Sequence, residues 1–314
     1  MNLLRNGPTA VLMYHSIATR RRDPHELAVS PDHFAAQIEH LTGRAEVVPF
    51  RDVLRPAPGP RVAITFDDGY ADNLHVAKPV LAAAAAPATV FIATDNVTDR
   101  TREFWSNRIE HVILDAPDRC AVLELEVEGR RVRVDVRTPE GRARALVVVH
   151  RMLRRRPLPE IEAALRTVAE QMGSGEQLCA DHCMMTDDEV RALVSDGLIE
   201  VGGHTRSHVM LSAVPAAEQR REIGEGRAVL ESIVDRPVMS FAYPFGAWGE
   251  YNRASVNAVR DAGYEAACTT RTGLVSPVFG RFRIPRFMVL DWDADTFAAA
   301  LEHWFKGRRA PQSY

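Results

Sequence analysis

Short continuous apolar runs alternate with longer stretches in which apolar residues recur every three to four positions. Residues 9–14, 61–66 and 88–93 are such runs, the pattern of strands covered on both faces. Between the first two, Ser30-Pro31 opens a helix to Leu41, with serine as cap and proline in the first turn. Residues 72–86 read as a second helix. Strand, helix, strand within the first 95 residues predicts βα units and a parallel sheet. The same rhythm returns at Thr186-Asp187-Asp188-Glu189, a capping-box pattern that starts a helix to Ser195. Strands are expected at 198–202, 238–243, 265–269 and 283–289, and helices at 215–234, 252–262 and 293–304. About seven parallel strands separated by helices favour a barrel over an open sheet.

The stretch from about 100 to 184 breaks this rhythm. Leu123, Leu125 and Val127 alternate with Glu124, Glu126 and Glu128, and Val132, Val134 and Val136 alternate with Arg131, Arg133 and Asp135. With a turn at Gly129-Arg130, this predicts an antiparallel hairpin whose acidic and basic arms pair. Helices at about 140–155 and 159–172 follow. The block reads as an insertion between two βα units of one catalytic domain spanning 1–314.

Composition narrows the function classes. The chain has 314 residues, is 46% hydrophobic and 26% charged, and has a net charge of −3, which argues for no nucleic-acid partner. No run approaches the length of a membrane span, and the start lacks the apolar core of a signal peptide, so a cytoplasmic location is expected. Cys179 and Cys183 flank His182 and invite a zinc reading. No second pair follows at zinc-ribbon spacing, and reduced thiols are the simpler account. Arg151, Arg154, Arg155 and Arg156 form a basic cluster that reads as a solvated helix face, or as a contact to an anionic group or a membrane surface.

The candidate chemistry gathers at strand ends. Thr65-Phe66-Asp67-Asp68-Gly69 places two carboxylates where a buried strand stops, and adjacent carboxylates are costly to hold close unless they serve a site. We read them as one metal ligand and one catalytic base. His204 and His208 in His204-Thr205-Arg206-Ser207-His208 can face one metal if the segment turns helically after its strand. With Asp68 they make a three-ligand site with open positions, the pattern of catalytic zinc and related divalent metals. Phe241-Ala242-Tyr243-Pro244-Phe245-Gly246 brings aromatic groups and a backbone N–H to the same rim; Tyr243 fits core packing or substrate contact equally.

These three motifs, in this order, resemble the polysaccharide deacetylases of carbohydrate esterase family four, the nodulation-deacetylase homology domain. Matching elements run from Val11-Leu12-Met13-Tyr14-His15 to Arg283-Ile284-Pro285-Arg286 and omit the insertion. The resemblance implies a distorted (β/α)7 barrel and metal-dependent removal of acetyl groups from sugars. It implies that Asp68, His204 and His208 bind one divalent metal, zinc first with cobalt or nickel as alternatives. Asp67 is then the general base, and the Phe245 N–H an oxyanion donor. Many members carry an arginine where this chain has Ala242, and Arg286 is the substitute expected to orient Asp67. The family's late Leu-x-His motif is matched in letters by Leu301-Glu302-His303, but in a helical context; His15, after the first strand, is the preferred acid or substrate contact. Phe104-Trp105, at the opening of the insertion, fits stacking on a sugar face or packing of the insertion onto the barrel equally, and Trp248 is a candidate sugar-stacking residue. The substrate expected is an acetylated amino sugar, saccharide or sugar conjugate; an O-acetyl esterase and a non-catalytic carbohydrate-binding barrel are the alternatives.

Overall fold

The computed structural model describes residues 7–98, 103–117, 119–175 and 183–308. The main sheet is built from β1 (Thr9–Tyr14), β2 (Arg61–Phe66), β3 (Ala88–Ile92), β4 (Ile199–Gly203), β5 (Ser240–Ala242), β6 (Ala266–Cys268) and β7 (Phe287–Met288). Neighbours run β6-β5-β4-β3-β2-β1-β7, all parallel, and the short strand Glu46–Val47 adds beside the start of β2. The segment leading into β7 joins the two ends of this path. Ile284 bridges Cys268 of β6, while Phe287 and Met288 pair with Leu12 and Met13 of β1. The sheet is thereby curled into the (β/α) barrel expected.

Both faces of the strands are buried, which is why they read as unbroken apolar runs. Ala10, Leu12, Val62, Ile64, Val90 and Ile92 pack outward into the main core with Phe34, Ile38 and Leu41 of the helix Pro31–Thr42. The alternate positions Val11, Ala63, Phe91, Ala242 and Cys268 form a second cluster with Ile284. Val48, Phe50 and Val53 fill it from the segment before β2.

Local chemistry departs from the sequence reading in places. Ser30 does not cap its helix: its hydroxyl donates to Asp291 at 2.7 Å. The expected helix at 72–86 is a π turn, Asn73–Ala77, followed by the helix Lys78–Ala83. Asp72 is turned back toward the end of β1, accepting from the Ser16 hydroxyl at 2.5 Å and the Ile17 N–H at 3.0 Å. The capping box of Thr186 and Glu189 forms at the start of the helix Asp187–Leu193.

The insertion has its own core. The helices Trp105–Leu114, Pro139–Leu153 and Leu158–Met172 pack with one face of the hairpin Val122–Val127/Arg130–Asp135 around Ile109, Leu123, Leu146 and Leu165. The hairpin turns at Glu128 and Gly129, both with positive φ (48° and 73°), one residue earlier than expected. Glu124 meets Arg131 at 2.8 Å and Arg133 at 3.1 Å, so the arms pair as their charges predict. The basic cluster partly faces the protein: Arg154 lies 3.4 Å from Glu250, and Arg156 pairs with Glu128. Cys179 and His182 lie outside the described residues. At the insertion's end, Met184 forms an antiparallel bridge with Tyr70, so the chain returns directly beside the Asp67-Asp68-Gly69 turn. No helix among the described residues is long and apolar enough to cross a membrane.

Candidate active site

The carboxyl ends of β2, β4 and β5 converge on one buried site. The Asp67 N–H donates to the Tyr14 carbonyl at 3.0 Å and continues the β1–β2 ladder. The chain then reverses through Asp68 (φ 75°) and Gly69 (φ 90°). A Cβ on Gly69 would sit 3.1 Å from the Ile92 side chain in a conformation L residues rarely adopt, so glycine is required there. At the end of β4, a Cβ on Gly203 would lie 2.0 Å from the Tyr264 hydroxyl. The following segment does not turn helically. Thr205 and His208 take positive φ values of 67° and 55°, and this left-handed turn brings the two histidines together. Strained residues of this kind persist where surrounding contacts over-determine them. Here the anchor is Glu222, buried on the helix Ala216–Val234. Its carboxylate accepts from the Arg206 and Ser207 N–H groups, each at 3.0 Å, and from the Ser207 hydroxyl at 2.9 Å.

Asp68, His204 and His208 are all buried, and their ligating atoms lie within 4.8 Å of one another. Asp68 Oδ1 is 3.5 Å from His204 Nε2 and 3.3 Å from His208 Nε2. Two ligand atoms each about 2.1 Å from a shared zinc ion at the tetrahedral angle lie about 3.4 Å apart, so the spacing fits a shared ion. The hydrogen bonding fits as well. Asp68 Oδ1 is buried without a hydrogen-bond partner. His204 Nδ1 lies 2.8 Å from the Ala242 carbonyl. Nδ1 therefore donates to that carbonyl, and Nε2 is the nitrogen turned toward Asp68 and available to a metal, the orientation of metal-binding histidines. Burial pushes the His208 pKa down to about 4, which keeps that ring neutral. For Asp68, burial opposes ionisation, but His208 and His204 outweigh it and hold the carboxyl below the usual range.

Asp67 is held apart from this set. Arg286 donates Nη1 to its Oδ1 at 2.7 Å and Nη2 to its Oδ2 at 2.6 Å. The guanidinium is fully buried and is itself fixed by the Thr65 hydroxyl at 3.2 Å and the Thr269 carbonyl at 3.0 Å. Burial raises the Asp67 pKa, but Arg286 and His204 more than offset this, so the carboxylate stays ionised. Phe245, just past β5, has φ 61°, and its carbonyl accepts from the Thr270 hydroxyl at 2.6 Å. His15 follows β1 at the same rim; burial lowers its pKa against the pull of Asp68 and Asp67.

The sequence model of the polysaccharide deacetylase family matches residues 55–148 and 150–267. The chain belongs to this family. A curated relative, the Bacillus subtilis (strain 168) protein YxkH, whose name carries the same family description, is 23% identical over 105 residues. That match spans 33% of this chain and 36% of YxkH. Streptococcus pyogenes deacetylase PplD, solved in complex with acetate, superposes with a TM-score of 0.57 at 19% identity, covering 91% of this chain and 94% of PplD. IcaB from Ammonifex degensii gives 0.60 at 19% identity over 96% and 98% of the two chains. A de-N-acetylase from Aggregatibacter actinomycetemcomitans gives 0.52 at 15% identity over 91% and 95%. At these identities the structural likeness shows the shared barrel.

Within this member of the family, the remaining candidates divide. Arg286 reaches Asp67 from the segment before β7, while Ala242 supplies only its carbonyl to His204. Tyr243 is fully buried, stacks on Tyr251 at 4.4 Å and donates its hydroxyl to the Phe282 carbonyl at 3.1 Å, so its side chain packs the core and is not open to substrate. Trp105 is buried in the insertion's core and stacks on His150 at 5.0 Å, which is packing, not a free sugar platform. Trp248 is 82% exposed, with the Arg271 guanidinium 5.4 Å from its ring. His303 lies in the last turn of the outer helix Ala294–Phe305. Phe104, expected with Trp105 to stack on a sugar or to pack the insertion onto the barrel, does the latter, lying among Tyr70, Ala93 and Met184. Sequence reasoning passes over Glu222. Glu222 shares the buried stripe Gln219, Glu222, Ile223, Gly226, Leu230, and a carboxylate on an apolar stripe is the signal that could have marked it.

Proposed function

We propose that this chain is a metal-dependent deacetylase that hydrolyses the acetyl group of an N-acetylated amino sugar or saccharide and releases acetate. The observation that carries this reading is the division of labour between adjacent carboxylates. Asp68 Oδ1 has no hydrogen-bond partner and faces two histidines, while Asp67 is locked by Arg286. Asp68, His204 and His208 would hold the divalent metal, with zinc favoured by the nitrogen and oxygen donor set. When bound, the metal polarises the acetyl carbonyl and lowers the pKa of water.

Asp67 accepts a proton as the water oxygen attacks the acetyl carbon. Because Arg286 keeps it ionised and fixes its two oxygens, it presents one geometry to that water. The Phe245 N–H donates to the oxygen that gains charge. His15 donates a proton to the departing nitrogen as the C–N bond breaks, leaving a free amine and acetate. The acetate bound in PplD supports acetate as the product, and the likeness to the A. actinomycetemcomitans de-N-acetylase supports an N-acetyl substrate.

The test is acetate release from N-acetylglucosamine oligomers, acetylated nucleotide sugars and acetylxylan fragments, with and without chelator. Release from the N-acetylated compounds that stops on chelation and returns with zinc is expected. Release from acetylxylan alone would replace the reading with an O-acetyl esterase. No release and no bound divalent metal would replace it with a carbohydrate-binding barrel.

A further inference from the structure

The two histidines are held by different means. His204 is oriented by its hydrogen bond to the Ala242 carbonyl, but His208 Nδ1 is buried without a partner. A ligating imidazole without such a bond has nothing polar to fix its rotation. Rings occupy the space around it. Phe104 lies 5.0 Å from the His208 ring at 53°, and Phe245 lies 5.1 Å away at 49°. Phe104 belongs to the insertion, at the start of the helix Trp105–Leu114. It is 3% exposed and packs with Tyr70, Ala93 and Met184. Tyr70 is tied to the same helix, accepting from Asn107 Nδ2 at 3.1 Å. Phe245 also packs against the insertion's core.

We infer that Phe104 is a positioning residue for the metal site: with Phe245 it clamps the His208 ring in its ligating orientation, so that the insertion completes the site. Packing substitutes for the missing hydrogen bond, and the left-handed backbone of His208 needs that outside support. This inference rests on the reading of Asp68, His204 and His208 as metal ligands.

The test is zinc affinity of the metal-free full chain, measured by competition with a chromophoric chelator. Phe104→Ala and Phe104→Leu are expected to weaken zinc binding by about 10- to 100-fold, the range seen when outer-shell support of a ligand is lost. Phe104→Tyr keeps the ring and should retain native affinity. Leu165→Ala, deep in the insertion's own core, should lower stability and leave zinc affinity unchanged. Imidazole nitrogen shifts of His208 should move in Phe104→Leu and not in Leu165→Ala. If Phe104→Ala fails to fold, Phe104→Leu, which fills most of the same volume, decides. Native zinc affinity in Phe104→Leu overturns the clamp. A native chain that binds no zinc overturns the metal reading, and the clamp with it.

Discussion

Arg286 and Asp67, 219 residues apart in sequence, form a two-pronged contact at 2.7 and 2.6 Å with both side chains buried. Removing one member of such a pair leaves an uncompensated buried charge and costs about 3–5 kcal/mol. Arg286→Met should destabilise the fold by that order in urea titrations. It should also let burial dominate the Asp67 carboxyl and raise its pKa, so the acid limb of the kcat/KM profile moves to higher pH. Arg286→Lys restores a charge but cannot reproduce the fork. It should recover much of the stability while kcat stays about 100-fold down, the scale of loss from a misplaced group. An unshifted acid limb in Arg286→Met would show that Asp67 does not govern turnover.

The two carboxylates should separate when metal content and turnover are measured together. Asp67→Asn leaves Asp68, His204 and His208 intact, so purified protein should retain its divalent metal while kcat falls about 100- to 10,000-fold. His204→Ala removes a ligand and should lose both metal and activity. Elemental analysis alongside kcat decides: loss of metal in Asp67→Asn would assign that residue to the ligand set. Chelation of the native chain should reproduce the His204→Ala phenotype reversibly.

The acid role of His15 can be read from leaving-group dependence. A group that protonates the departing amine matters little when the leaving group departs unprotonated. His15→Gln should lower kcat on N-acetylated sugars by about 100-fold or more. It should have a much smaller effect on an activated aryl acetate. An equal loss on both substrates would make His15 a contact for the acetyl group or the metal site, not the acid.

Much of this architecture is visible in the sequence, and the exceptions share a physical origin. The barrel strands read directly because parallel strands buried on both faces must be continuously apolar. Strand ends move where side chains intervene. The strand expected at 238–243 contracts to Ser240–Ala242, and the Val238 N–H is taken by the Glu231 carboxylate at 3.0 Å. The helix expected at 72–86 opens with a π turn and ends at Ala83, while the Asp72 side chain at its start bonds the chain after β1 instead of capping its own turn. The ligand triad is legible because its residues end strands, where the barrel brings them together. The contacts that hold them are not. Glu222 resembles an ordinary helix residue until tertiary packing places it under the His204–His208 turn, and Phe104 reads as an aromatic for stacking or packing with no sign that its neighbour is the His208 ring.

Protonation of His150 should weaken the insertion in mild acid. This residue, on the helix Pro139–Leu153, stacks against Trp105 at 5.0 Å and lies 5.0 Å from the His25 ring, with Glu110 3.3 Å from His25. Burial, with smaller contributions from His25 and Arg154, lowers its pKa from 6.5 to about 4. The folded value lies below the unfolded one, so between pH 6.5 and 4 the unfolded chain binds more protons. The stabilisation is present above that window and is lost as pH falls through it, by up to about 3 kcal/mol. Glu110 opposes the trend: burial raises its pKa to about 8, which favours the fold at lower pH. His150→Phe keeps the stack on Trp105 and removes the proton site. Thermal melting of the metal-free protein at pH 7 and pH 5 should show the variant's stability changing in favour of the fold relative to the native chain as pH falls. The same change in both proteins would mean that His150 does not couple the insertion to pH.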